Sequence, residues 1–247
     1  MFEPVPDEPA ALADLGSDRA LVIADYHAGL EVALRREGVE LPMRDTDRRE
    51  ALLTLLDRTD ADHIVFLGDI ATDIGASNRE ERAELQSLFA AITERVPVTI
   101  VKGNHDGAIE ELTDDDEIRV TGTEGIRIGS VGFVHGHTWP SIDVLTADTV
   151  VMGHEHPMVR LIDEVGGSRT ERVWLRGPLR SDPFEAYHET ALEISGELVV
   201  CPAFNDLTGG TWTNLDQDFL SPFLPAGVES AQAYLLNGTR LGAYDEI

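Results

Sequence analysis

A chain of 247 residues suits one large α/β domain, and no Gly/Ser-rich or Pro-rich stretch divides it. No apolar run approaches the roughly 18 residues of a membrane span, and residues 1–18 are acidic where a secretory leader is basic, so the expected location is the cytoplasm, with no membrane partner. The 46 acidic residues against 19 basic ones, with Lys102 the one lysine, give a net charge of −27 that resembles the proteins of salt-in halophiles, while the single cysteine, Cys201, excludes an internal disulfide and a thiolate zinc site.

In dilute buffer that charge argues against a nucleic-acid partner. Near 1 M salt the Debye length is about 3 Å, and the charge then says little about substrate. Residues 1–19 read as an acidic N-terminal arm. Residues 20–24 read as a buried strand that ends at Asp25-Tyr26-His27. Positions i and i+2 share one side of an extended chain, so Asp25 and His27 can converge on one ion; taken alone, a turn Asp with an incidental His is the commoner reading. Residues 31–37 and 44–58 are helix-like. Residues 63–67 form a second apolar run ending at Gly68-Asp69, where an Asp can also simply cap a turn. An amphipathic helix over 79–94, with Leu85, Leu88, Phe89 and Ile92 on one face, leads to the β-branched run 98–101 and then Lys102-Gly103-Asn104-His105-Asp106. Three successive strand ends thus carry polar ligand-type groups, at the edge where open α/β sheets bind ligands.

The second half changes character. Segments 118–121, 125–128 and 130–134 are short, β-rich and separated by glycine, which suggests antiparallel pairing in a second sheet, and the last ends at His135-Gly136-His137. A short helix is expected over 141–145, followed by a strand over 149–152 ending at Gly153-His154-Glu155-His156-Pro157. Residues 158–247 should complete the second sheet, with strands near 172–175 and 197–201 and an Asn-Gly hairpin over 235–240. Residues 182–187 read as a loop or short helical insertion, and 205–230 as irregular structure wrapped on the core.

Six of the eight histidines lie within four short motifs. Imidazoles mixed with Asp and Asn, without thiolates, suit Mn, Fe, Zn or Co rather than Ca. Two such ions about 3.5–4 Å apart can clamp the attacking and leaving oxygens of a phosphoryl displacement. The ordered set Asp-x-His, Gly-Asp, Gly-Asn-His-Asp, His-Gly-His and Gly-His-x-His resembles the calcineurin-like metallophosphoesterase superfamily. That resemblance implies a four-layer α/β sandwich, two mixed β-sheets flanked by helices. It also implies two divalent metal ions, manganese first among the candidates, with Asp25, His27 and His156 on one, Asn104, His135 and His154 on the other, and Asp69 between them. His105 then corresponds to the family's catalytic histidine, Asp106 would orient it, and His137 stands behind the ligands.

Ile74 after Asp73, and Asp106 where phosphoprotein phosphatases carry Glu, favour the phosphodiesterase side. Gly-His-Glu-His-Pro, Pro202-Ala203-Phe204-Asn205 and Thr208-Gly209-Gly210 resemble the small prokaryotic SbcD-related or ICC-like branch, near ligase-associated DNA-repair phosphoesterases; Tyr26 departs from its usual Leu. The implied activity is a two-metal phosphodiesterase or nuclease in nucleic-acid metabolism or DNA repair, with DNA or a nucleotide as the phosphoester partner. A phosphomonoesterase acting on nucleotides or phosphoproteins shares the same metal residues. A non-catalytic binding scaffold is the third reading, against which His105 and every expected ligand stand. Arg176 and Arg180 read as solvated, His63 and His188 as bystanders, and Lys102 is given no role.

Overall fold

The chain begins with two short strands, β1 (Phe2–Pro4) and β2 (Ala10–Asp14), where the composition suggested an arm. The acidic residues lie on the exposed side and in the turn, while Phe2, Val5, Ala10, Ala11 and Ala13 are buried. β3 (Arg19–Ile23) pairs antiparallel with β2 and leads to α1 (Leu30–Arg36) and α2 (Asp45–Thr59). β4 (His63–Phe66), α3 (Arg79–Thr93) and β5 (Val98–Val101) complete a parallel β3-β4-β5 core joined by helical crossovers. The computed structural model describes residues 1–75, 77–113, 116–215 and 218–247.

β6 (Ile118–Thr121) corrects the expectation for its segment. It lies parallel to β5 at the edge of the first sheet, whose order is β1-β2-β3-β4-β5-β6. The connection from β5 carries only a 3-10 turn at Ile109–Leu112 among its described residues, so the helical period that announces a parallel crossover is missing. The second sheet begins with the antiparallel pair β7 (Ile126–Ile128) and β8 (Val131–Val134), followed by α4 (Ile142–Leu145) and β9 (Thr149–Met152). β10 (Met158–Ile162) and β11 (Ser168–Pro178) form a hairpin, and α5 (Asp182–His188) makes the 182–187 segment a helix. β12 (Glu197–Val200), β13 (Gln232–Leu235) and β14 (Arg240–Ala243) finish the order β14-β13-β11-β12-β9-β8-β7, with β10 paired to β11. β8, β9 and β12 run parallel, so both sheets are mixed.

Alternate residues of each strand face opposite sides, and here both sides are buried. Val22, Val65 and Val101 of the first sheet pack against Phe133, Val151 and Val199 of the second, forming the inter-sheet layer. Leu21, Phe66 and Ile100 face outward onto Leu52, Leu85 and Leu88 of α2 and α3. Val150, Leu175 and Leu198 likewise face Val144 of α4 and Phe184 of α5, giving the four-layer sandwich. Behind the first sheet, Arg48 bonds Glu31 (3.1 Å) and Glu84 (2.6 Å), and Glu84 also accepts the Gly29 N–H (2.8 Å). Removing one partner from such a buried cluster costs about 3–5 kcal/mol, so the cluster fastens three helices to the loop that follows β3. Among the described residues no helix is long and apolar enough to cross a membrane.

Candidate metal centre

The carboxyl ends of β3, β4, β5, β8 and β9 meet at one edge of the sandwich and bring Asp25, Asp69, Asn104, His135 and His154 together. Glycine makes the meeting possible. A Cβ at Gly103 would fall on Asp69, and one at Gly68 would lie 2.6 Å from His135 Nδ1. Five non-glycine residues of the site have left-handed backbones: Asp25 (φ 54), His27 (φ 47), Asp69 (φ 46), His154 (φ 69) and His156 (φ 44). That geometry costs roughly 1–2 kcal/mol per L-residue. It is held by the bonds His27 N to Asp69 O (3.0 Å), Ala28 N to Ile70 O (2.7 Å) and Gly153 N to His135 O (3.0 Å). Strain concentrated in this way is characteristic of functional loops.

Two donor groups result. Asp25, His27 and His156 offer ligand atoms within 4.8 Å of one another, as do Asp69, His135 and His154. In the first group His27 Nε2 and His156 Nε2 face each other at 3.4 Å, and Asp25 Oδ1 lies 3.3 Å from His156 Nε2. In the second, Asp69 Oδ2 is 3.3 Å and Asn104 Oδ1 3.1 Å from His135 Nε2. The rings form two chains, His156-His27-His105 with centroids 5.2 and 5.5 Å apart, and His154-His135-His137 at 4.9 and 5.2 Å. Asp69 lies between the chains, bonded to the His105 N–H (2.9 Å) on one side and to His135 on the other.

The electrostatics call for a cation. Burial disfavours charge on Asp25, yet His156 and His135 outweigh it and hold the carboxyl below its ordinary value. Burial would also depress His135, but Asp69 and Asp25 outweigh it and push the imidazole up to about 9, the mark of an anionic surrounding. His27 and His154, buried with less compensation, fall to about 4 and present neutral nitrogens. Nδ1 of His135 donates to the Leu67 carbonyl (2.6 Å) and Nδ1 of His156 to the Gly209 carbonyl (2.8 Å), which turns each Nε2 inward. Outer partners of this kind fix the tautomer of metal-binding histidines. Carboxylates, imidazoles and one amide oxygen, preorganised and short of positive charge, fit divalent transition ions.

Other assignments divide. His105 lies outside both donor groups; Nδ1 bonds the Thr72 carbonyl, Nε2 is 3.9 Å from Asp69 Oδ2, and the side chain is 26% exposed. Asp106 does not orient it. Its buried carboxylate accepts N–H bonds from Ile70 (2.9 Å), Ala71 (3.1 Å) and Gly103 (2.9 Å), pinning the loops after β4 and β5 together, and the Thr72 carbonyl steers the imidazole. His137 packs on His135 and His154 with Nδ1 buried and unpartnered, and burial lowers it to about 4. His63 bonds Thr99, His188 the Pro140 carbonyl, Arg176 Glu197, Arg180 Asp182 and Lys102 Glu110.

Asn205 closes the Pro202-Ala203-Phe204-Asn205 motif, to which the sequence assigns no role. Its amide donates to the carbonyls of Tyr26 (3.2 Å) and His27 (3.1 Å), and its own N–H to Asp25 O (3.3 Å). Glu155, fully buried between His154 and His156, accepts bonds from Thr211 Oγ1 and from the N–H groups of Leu220 and Ser221. The one signal for either was a polar residue beside a strand end.

The sequence profile of the calcineurin-like phosphoesterase superfamily domain matches residues 19–174, which span every donor described above. No curated protein matches the sequence. In structure the chain is similar to the Pseudomonas putida nuclease MPE, with a TM-score of 0.56 and 18% identity over 98% of this chain and 100% of that one. It also matches YfcE, a phosphoesterase from E. coli, with a TM-score of 0.41 and 16% identity over 92% and 99% of the two chains. With the profile spanning the strand ends that build the centre, the chain belongs to the calcineurin-like phosphoesterase superfamily.

Proposed function

We propose that the chain is a two-metal phosphodiesterase acting on nucleic acid. In this reading Asp25, His27 and His156 hold one divalent ion, Asn104, His135 and His154 the other, and Asp69 both, with manganese the first candidate and iron, zinc or cobalt the others. Ions so held supply charge that polarises the phosphoryl oxygens and makes water a usable nucleophile near neutral pH. The chain's own contribution is His105. The observation that carries the reading is that this imidazole sits beside both donor groups and belongs to neither, with Thr72 fixing Nδ1 and Nε2 lying 3.9 Å from Asp69 Oδ2. A protonated Nε2 can bond the non-reacting phosphoryl oxygen or give its proton to the departing alkoxide. A fold shared with a protein described as a nuclease supports a nucleic-acid substrate.

The test is a panel of phosphomonoesters, phosphodiesters and single- and double-stranded DNA, assayed with Mn2+ in molar KCl. Diester and DNA cleavage is expected, and turnover of monoesters alone would replace this reading with a phosphomonoesterase. His105→Ala should retain both ions and lose about 10²- to 10⁴-fold on nucleotide diesters, but less on a nitrophenyl diester, whose leaving group needs no proton. Equal losses on both substrates would remove the proton-donor role.

A further inference from the structure

Away from the metal centre, the most ordered exposed arrangement is aromatic. Trp139 stands two residues beyond His137, and its indole lies face to face with Tyr187 of α5, centroids 4.5 Å apart and planes 8° from parallel. Phe184 and Phe223 pack on the indole from the core at 5.9 and 6.0 Å, so Trp139 is a fixed base. His188 makes a T-shaped contact with Tyr187, centroids 5.0 Å apart, and is itself held by the Pro140 carbonyl (2.9 Å). One face of the Tyr187 ring is covered by Trp139, yet the residue is 53% exposed. Among the described residues it is the one Phe, Tyr or Trp that is exposed.

The charge of the chain gives this pair its meaning. A net charge of −27 with 19 basic residues leaves the protein little cationic surface for phosphate contacts and the counterion release they bring. Contacts that salt does not screen therefore weigh more beside the metal centre. Base stacking on an aromatic ring is such a contact, and it tolerates any sequence because every base has a π face. Reach also fits. Trp139 follows His137 by two residues, a span of at most about 7 Å of chain, and the His137 ring lies 5.2 Å from that of His135, so the platform rises from the loop that borders the donor groups.

We propose that Trp139 and Tyr187 form a stacking platform for an unpaired nucleobase that flanks the phosphodiester at the metal centre. The inference rests on the nucleic-acid reading above and adds to it a single-stranded or frayed substrate. The experiment compares wild type, Tyr187→Ala, Tyr187→Leu and Tyr187→Trp on a single-stranded oligonucleotide and on the same strand with abasic residues around the cleaved bond. Tyr187→Ala is expected to lose about 5- to 150-fold in kcat/KM on the intact strand, mainly through KM, and nothing on the abasic one. Tyr187→Leu, which covers Trp139 but offers no ring face, should behave as the Ala variant with a wild-type melting temperature, and Tyr187→Trp should restore cleavage. Equal losses on both strands, or no loss on either, would overturn the platform while leaving the nucleic-acid reading in place. A wild-type enzyme that hydrolyses a small diester but no oligonucleotide would overturn that reading and the platform with it.

Discussion

In the proposed assignment Asp69 serves both donor groups. One carboxylate oxygen already accepts the His105 N–H at 2.9 Å, and the other faces His135 Nε2 at 3.3 Å and His105 Nε2 at 3.9 Å. As a bridge, this carboxylate would supply charge to each of two ions, whereas His27 would serve only the ion held with Asp25 and His156. Asp69→Asn keeps an acceptor for the His105 N–H, so the loop should hold its shape while the centre loses a negative charge. Occupancy is expected to fall at both sites in Asp69→Asn and chiefly at one in His27→Ala, as read by metal analysis of the purified variants. Two ions per chain retained in Asp69→Asn would show that this carboxylate is no bridge.

At the scale of elements, the segment after β12 grips the loop after β3. Asn205 bonds the backbone at Asp25, Tyr26 and His27, Phe204 stacks on Tyr26 at 5.9 Å, and the Gly209 carbonyl steers His156. All of these contacts converge on the first donor group. Asn205→Ala leaves two buried carbonyls without that donor, a loss of about 1–3 kcal/mol in stability. Weakening an outer support of this kind lowers metal affinity by about 10- to 100-fold. Calorimetric titration should therefore find the first site weakened, the second unchanged and activity recovering at raised metal; unaltered affinity at both would reduce Asn205 to a structural role. The same contacts show where sequence reading stops. Strands such as β4, β5 and β9 were legible because both faces are buried and the apolar run must end where a polar group enters the site. The carbonyls of Leu67, Thr72 and Gly209 left no trace, since every residue type carries one. The backbone partners of Asp106 are equally illegible, because a side chain's identity says nothing about which backbone it meets. The sheet to which β6 belongs is hidden because its crossover carries no helical periodicity among the described residues.

At the scale of the whole molecule the dominant fact is 46 acidic residues against 19 basic ones. Several of the basic residues are committed to ion pairs, Arg36 with Asp73, Arg44 with Asp206, Arg58 with Glu8 and Arg95 with Asp57, which leaves the surplus of carboxylates unopposed. In dilute buffer, where the Debye length is about 30 Å at 0.01 M, these charges repel across most of the molecule; near 1 M it shrinks to about 3 Å and only adjacent groups interact. Compact packing suffers most from unscreened repulsion, because unfolding lets the charges separate. The melting temperature should therefore rise steadily from dilute buffer to molar KCl, with NaCl giving the same curve, since screening depends on ionic strength and not on the cation. Mn2+ should add a further stabilisation at fixed KCl, about 4 kcal/mol at a thousandfold excess over Kd, if it binds only the folded chain. The two effects separate cleanly, because chelation removes the second and leaves the first. A melting temperature unchanged between dilute buffer and 1 M KCl would mean that the acidic surface is already balanced within the fold, and that screening contributes nothing to its stability.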